Sequence, residues 1–324
     1  MAAGKGTRMK SSMPKVLHRL AGKALVQHVI DTARTLKARH TIVITGHGAE
    51  QVEPALISAN AADKLQFARQ MPQLGTGHAV QQAVPLLAND GVVVVLSGDV
   101  PLTQADTLQA LLDLCDGKQL ALLTIDFADP TGYGRIVRSP SGQVHAIVEH
   151  KDANDEQRAI NEVYSGIMAV PAKLLKPWLA RLDNNAQQEF YLTDVVKFAE
   201  ADGVPVVAHK ISDAAQVAGV NSPTQLAELE RAFQLRQAHA FMADGVRIID
   251  PARFDVRGHL SCAQDVEIDV NCIFQGNVSL GQGVKIGANC VIANCTIEAG
   301  AVIHPFTHID GEKLGVTVGE GALI

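Results

Sequence analysis

From residue 266 onward the chain repeats every six residues. Aliphatic or aromatic side chains fall at Ile268, Phe274, Leu280, Ile286 and Ile292. After a step of five they resume at Ile297, Ile303 and Ile309, and after a break at Val318 and Ile324. Four places after most of these stands a small or β-branched residue: Cys272, Val278, Val284, Cys290, Thr296, Ala301, Thr307, Ala322. A helix face recurs every 3.6 residues and a strand face every 2. A period of six instead predicts a hexapeptide parallel β-helix, in which three repeats make one triangular coil. Each coil buries its apolar corners only by stacking on the next. About three coils are expected. Cys272 and Cys290 lie one 18-residue coil apart, so they should stack as small apolar fillers.

The first 220 residues read differently. Helical spacing over 22–37, 76–88 and 103–114 alternates with short apolar runs at 41–45, 91–96 and 120–125. This order predicts an α/β unit with a mostly parallel sheet and helices on both faces. Two alternating runs around Ser139-Pro140-Ser141-Gly142 predict a hairpin beside the main sheet. Ser222, Pro223 and Gln225 suit the start of a helix, and Gly245 suits its end. The expected domains are therefore 1–221, a linker helix 222–245, and a β-helical domain 246–324. With 47% hydrophobic and 19% charged residues, two cores can be filled.

Several function classes are disfavoured. A net charge of -6 and 4% aromatics argue against a nucleic-acid surface. No apolar run approaches the ~18 residues of a membrane span, and no signal peptide is apparent at the start. Five cysteines without a CxxC pair argue against a disulfide framework or zinc site, and fit a reducing cytoplasm.

The start of the chain carries chemistry. Lys5, Arg8, Lys10, Lys15, Arg19 and Lys23 precede the first acid, Asp31, in a chain that is acidic as a whole. Gly4 and Gly6 let a backbone turn approach a ligand closely, and the neighbouring cations suit polyphosphate. A solvated basic tail is the plain alternative. The spacing is neither a P-loop nor a dinucleotide fingerprint. Asp99 follows the apolar run 91–96, at the strand end where open α/β sheets place ligands. Taken alone, Asp99 is equally a turn residue and Asn221 a helix-start residue.

AAGKGTRM followed by PKVLHRLAGK resembles the signature of sugar-1-phosphate nucleotidyltransferases. The likeness continues through Gln73–Ala79, Gly98–Leu102, Asp129–Ile136, Val148–Asp152, Glu189–Asp194 and Gly219–Asn221. With the hexapeptide tail, the chain resembles the bacterial family of bifunctional N-acetylglucosamine-1-phosphate uridyltransferases/glucosamine-1-phosphate acetyltransferases. The resemblance implies transfer of UMP from UTP to N-acetylglucosamine 1-phosphate with Mg2+, releasing pyrophosphate. It implies catalytic roles for Arg8 and Lys15 on the phosphates, and metal ligation by Asp99 and Asn221. Ala3, Gly4, Gln70, Gly75 and Thr76 match nucleotide-binding positions. Gly134 and Glu149 match sugar-binding positions. Tyr164 stands where the family has an asparagine, and its hydroxyl is expected to take over that sugar contact. Ser97 replaces a bulkier residue and leaves the Asp99 assignment intact. Tyr191 and Thr193 are candidates to support the sugar-binding wall, although a helix N-cap is the first expectation for Thr193; His78 is expected to be a helix-start residue. The family also forms trimers through its β-helix and feeds envelope polymers such as peptidoglycan and lipopolysaccharide.

Two expectations concern the ends. Only Met1, Ala2 and Ala3 precede Gly4, so the family's buried first strand is expected to be missing, with a loss of stability or activity. The later coils, which carry the family's acetyl-coenzyme A site, are expected to be missing too. Other readings are another sugar-1-phosphate nucleotidyltransferase, an acyltransferase of the hexapeptide kind, or an inactive fragment with a trimerising β-helix.

Overall fold

The computed structural model describes residues 1–62, 64–185 and 188–324. They form two compact units, one of residues 1–18 and 25–222, the other of 19–24 and 223–324. A hairpin of β1 (Arg19–Leu20) and β2 (Lys23–Ala24) thus belongs to the second unit, where the Ala21 N–H donates to Glu230.

The first unit opens with α1 (Leu25–Thr35), β3 (Ile42–Thr45), α2 (Ala49–Ala59) and β4 (Gln66–Arg69). β3 and β4 pair in parallel. Next come α3 (Thr76–Ala83), β5 (Val92–Val95), α4 (Ala105–Cys115) and β6 (Leu120–Asp126). α3 is shorter than the sequence suggests and tightens into a 3-10 turn over Val84–Leu86. Pro85 has no N–H to continue the helical ladder. The hairpin expected around Ser139–Gly142 is β7 (Arg135–Arg138) and β8 (Val144–Val148). It is followed by α5 (Asp155–Arg158), β9 (Glu162–Pro171), α6 (Ala172–Arg181), α7 (Val195–Ala201) and β10 (Val206–Ile211).

Among the described residues the main sheet runs β10-β6-β9-β7-β8, with β5 also on β9. β5 and β6 are both antiparallel to β9, and β10 is parallel to β6. β6 is apolar from Leu120 to Leu123 and at Ile125 because both its faces are covered. Leu120 and Leu122 enter a cluster with Trp178, Leu179 and Val195, while Ala121, Leu123 and Ile125 pack with Leu108 and Leu111 of α4.

Between β3 and β5 lies the start of the chain. The Met1 amino group donates to the Leu96 carbonyl at 2.7 Å, and the Gly98 N–H returns to the Met1 carbonyl at 2.8 Å. On the other side the Ala2 N–H donates to Ile44, in a parallel bridge with Thr45. Burial pushes the Met1 ammonium down to about 6 against the pull of Asp99.

The second unit has α8 (Pro223–Ala243) and then a parallel solenoid. Its strands are β11 (Arg247–Ile248), β12 (Phe254–Cys262), β13 (Glu267–Ile268), β14 (Cys272–Leu280) and β15 (Lys285–Ile286). β16 (Val291–Ile297), β17 (Val302–Ile303), β18 (His308–Asp310) and β19 (Val316–Val318) complete it. The periodic residues stack in columns: Ile248 on Ile268, Ile286 and Ile303, and Phe274 on Ile292 and Ile309. Phe254 stands over Cys272. The architecture is consistent with a left-handed β-helix. It has about four turns, because β11 and β12 already belong to it. Val256 pairs with Phe274 and Cys262 with Leu280, so the step from Ile248 to the next corner, Val256, is eight residues before steps of six lead on to Cys262 and Ile268. That slip hid the first coil from the periodicity. Gln234 of α8 is fully buried and clamps β12, donating to the Val256 carbonyl at 2.9 Å and accepting from its N–H at 2.8 Å. All five cysteines are free thiols.

Candidate active site

The glycine-rich turn leaves the sheet directly after Ala3, which is buried and accepts a 3.3 Å bond from the His47 N–H. Gly4 is exposed. Gly6 is left-handed at φ 59°, and a Cβ there would lie 2.6 Å from the Lys15 Cβ, so only glycine lets the lysine stem pass. Thr7–Met9 form a 3-10 turn pinned by buried Met9. Arg8, on that turn, is exposed, and no hydrogen bond or ion pair engages it among the described residues.

A second 3-10 turn, Lys15–Leu17, aims Lys15 at two oxygens. Its Nζ donates to Asp99 Oδ2 and, at 3.2 Å, to Asn221 Oδ1. The two acceptors are distant in sequence but locked together by the backbone, since the Val220 N–H donates to the Asp99 carbonyl at 2.9 Å. One carboxylate oxygen and one amide oxygen thus converge on a cation. This is a hard-oxygen donor pair that fits a magnesium ion, with phosphate oxygens or water as the remaining ligands. No cluster of three or more histidine, cysteine or acidic side chains suited to a metal occurs among the described residues.

Gln70 is buried at the end of β4, its N–H bonded to the Thr45 carbonyl. Its side-chain amide donates to the Gly75 carbonyl at 2.8 Å and meets His78 Nδ1 at 3.3 Å. His78, the third residue of α3, therefore supports Gln70. Gly75 adopts φ 103° with the Phe190 carbonyl only 2.6 Å from where a Cβ would be. Thr76 starts α3 and accepts a 3.1 Å bond from the Leu192 N–H.

A third group lies around β7, β8 and β9. The Gly134 carbonyl accepts from the Tyr164 N–H at 2.9 Å, and Glu149 Oε2 lies 3.6 Å from a Cβ placed at Gly134. Glu149 accepts from the Thr193 hydroxyl at 3.0 Å. Thr193 is thus a partner of Glu149. It is no N-cap, because α7 begins two residues later behind Asp194. Burial pushes the Glu149 carboxyl above its ordinary range. The Tyr164 hydroxyl is enclosed and has no hydrogen-bond partner, and burial raises its pKa.

Two further residues were not singled out in the sequence. Arg135 is 1% exposed, donating to the Tyr133 carbonyl and, at 3.2 Å, to His150 Nδ1. A guanidinium only donates, so His150 Nδ1 is the acceptor and its proton sits on Nε2. Tyr133 packs on Phe127 at 5.0 Å and feels the charges of both Arg8 and Asp99. A basic residue inside an otherwise apolar strand start was the available signal for Arg135.

An α/β sheet with a cationic glycine turn at one strand end and an Asp–Asn pair at another defines a nucleotidyltransferase. Residues 1–166 match the MobA-like NTP transferase domain family. Over the whole chain, the sequence is 70% identical to the bifunctional protein GlmU of Polaromonas sp. and 71% identical to that of Polaromonas naphthalenivorans. The matches cover 100% of this chain and 71% and 70% of those proteins. The chain belongs to the bifunctional GlmU family. A solved UDP-glucose pyrophosphorylase complexed with UDP-glucose shares the fold, with a TM-score of 0.58 at 19% identity over 72% of this chain and 96% of that one.

Proposed function

We propose that the chain transfers UMP from UTP to N-acetylglucosamine 1-phosphate, giving UDP-N-acetylglucosamine and pyrophosphate. The observation that carries this reading is the meeting of Lys15, Asp99 and Asn221 beside a glycine turn bearing an unpaired Arg8. The sugar phosphate is already an anion, so it can attack the α-phosphorus without a general base. Catalysis is then positioning and charge neutralisation. Arg8 holds the triphosphate and the departing pyrophosphate. Lys15 holds the phosphates joined in the product. Ala3, Gly4, Gln70, Gly75 and Thr76 seat the nucleotide, with the Gly75 backbone free to pass close to the base. Gly134, Glu149 and Tyr164 seat the sugar, the enclosed tyrosine hydroxyl supplying a donor where a sugar oxygen or amide carbonyl would sit. Asp99 and Asn221 would hold Mg2+, which when bound would supply positive charge against the phosphates.

None of residues 1–324 is assigned to acetyl transfer in this reading. The solenoid is read as a homotrimerisation element, and the product as a precursor of envelope polymers. The reading takes the reaction to be cytoplasmic. Coupled pyrophosphate-release assays with UTP, CTP, dTTP and ATP test the reading. UTP is expected to lead, with activity lost on chelation and restored by magnesium. A preference for CTP or dTTP sinks the base assignment.

A further inference from the structure

Arg135 is a cation enclosed behind the candidate sugar seat. It opens β7, where it lies opposite Val148 of β8 and Val163 of β9. Side chains alternate along a strand, so Arg135 faces away from Ile136, which packs with Ile147 and Tyr164 on the other side of the sheet. Gly134 and Glu149 belong to that other side. A Cβ at Gly134 would meet Ile147 Cγ2 at 2.8 Å and Glu149 Oε2 at 3.6 Å. The sugar seat and the guanidinium thus occupy opposite faces of the same strand ends.

Each of these two seat residues is carried by a turn. Before Gly134, the Thr131 N–H donates to Asp129 Oδ1 at 3.1 Å, and the Tyr133 N–H to the Pro130 carbonyl at 3.2 Å. After Glu149, the Asp152 N–H returns to the Glu149 carbonyl at 2.9 Å. Arg135 grips both turns. One terminal nitrogen donates to the Tyr133 carbonyl, and the other to His150 Nδ1 at 3.2 Å. Among the described residues no carboxylate bonds this guanidinium, although it feels the charge of Asp129, and its Nε–H has no partner. A buried cation held by neutral acceptors is costly, and an apolar side chain of similar volume would serve stability as well or better. What the guanidinium alone provides is a rigid planar fork that spans two acceptors at once.

We propose that Arg135 is a positioning residue for the sugar phosphate: its fork ties the turn ending at Gly134 to the turn beginning at Glu149 and so fixes the width of the seat between them. The proposal rests on reading Gly134 and Glu149 as that seat. Arg135 touches no substrate and acts through the Tyr133 carbonyl and His150. The half-buried His150 is the arm of this clamp that can be changed without opening the core.

The test uses the full chain with His150→Leu, which removes the acceptor, and His150→Asn, whose Oδ1 can replace Nδ1. With UTP and N-acetylglucosamine 1-phosphate, His150→Leu should raise the KM for the sugar phosphate about tenfold, the scale of one lost hydrogen bond to a charged group. The KM for UTP and kcat should stay within about twofold of the parent. His150→Asn should restore the parental KM. Arg135→Lys keeps the charge and loses the fork, so it should match His150→Leu; the two His150 variants carry the test should the lysine variant not fold. Hydrogen exchange reads the clamp without turnover. In the free protein the Tyr164 amide is bonded to the Gly134 carbonyl and the Asp152 amide to the Glu149 carbonyl. Both should exchange about tenfold faster in His150→Leu and at the parental rate in His150→Asn. A parent silent with these substrates would refute the assigned reaction, and the exchange comparison would then decide the clamp alone. Unchanged exchange, a KM for UTP raised as much as that for the sugar phosphate, or no rescue by asparagine would overturn the proposal.

Discussion

Arg8 is exposed and unpaired, whereas Lys15 is held between two oxygens. The two cations therefore predict different losses. Arg8→Ala should lower kcat/KM about 10²–10³-fold, as for a missing transition-state donor, and leave the melting temperature unchanged. Undiminished turnover in that variant would refute its role. Glu149 carries a pH signature. Its folded pKa is raised by burial, so the folded state holds the proton longer than the unfolded chain does. Its contribution is favourable below the ordinary carboxylate range of about 4 and is lost as pH rises through the raised value. Glu149→Gln should therefore gain stability relative to the parent on going from acid to neutral pH, while its KM for the sugar phosphate rises. Thermal melts across that range, beside initial rates, check both. Tyr164→Phe removes an enclosed hydroxyl that has no partner. Such a group costs about 1–3 kcal/mol, so the free variant should melt higher, and a simultaneous rise in KM would mark the hydroxyl as a sugar contact.

At the scale of elements, local chemistry was legible where one residue dictates a turn. Gly6 and Gly75 stood out in the sequence, and each proves to sit where a side chain would collide. Gly75→Ala should accordingly impair nucleotide binding, because its Cβ would meet a backbone carbonyl that cannot rotate away; UTP affinity by calorimetry reads the loss. Partnerships across the chain were less visible. That Asp99 and Asn221 meet depends on a backbone bond from Val220 to Asp99, which no local pattern announces. Thr193 precedes a helix and so reads first as a cap, yet its hydroxyl takes the other role open to it, donating to the buried Glu149 carboxylate. Arg135 lies within the Asp129–Ile136 likeness but received no role, because a cation among apolar neighbours reads as a strand's solvent face until its burial is seen. The extra solenoid coil escaped because two additional residues in one corner broke the phase of the repeat while its spacing persisted.

At the scale of the molecule, the chain spans about 70% of the length of the GlmU relatives it matches. Its two units rest on separate apolar clusters, one around the sheet and α3, α6 and α7, the other inside the solenoid. The trimer proposed for the solenoid predicts a solution mass three times 34.4 kDa by light scattering; a monomer mass across the accessible concentrations would reject it. The columns inside that solenoid have a consequence for engineering. Phe254 stands over Cys272, and Glu267 over Lys285, each one 18-residue step away. A duplicated block of that length would meet the same neighbours above and below as its parent. The ladder can thus be extended rung by rung, whereas deleting three residues would turn every later side chain away from its column.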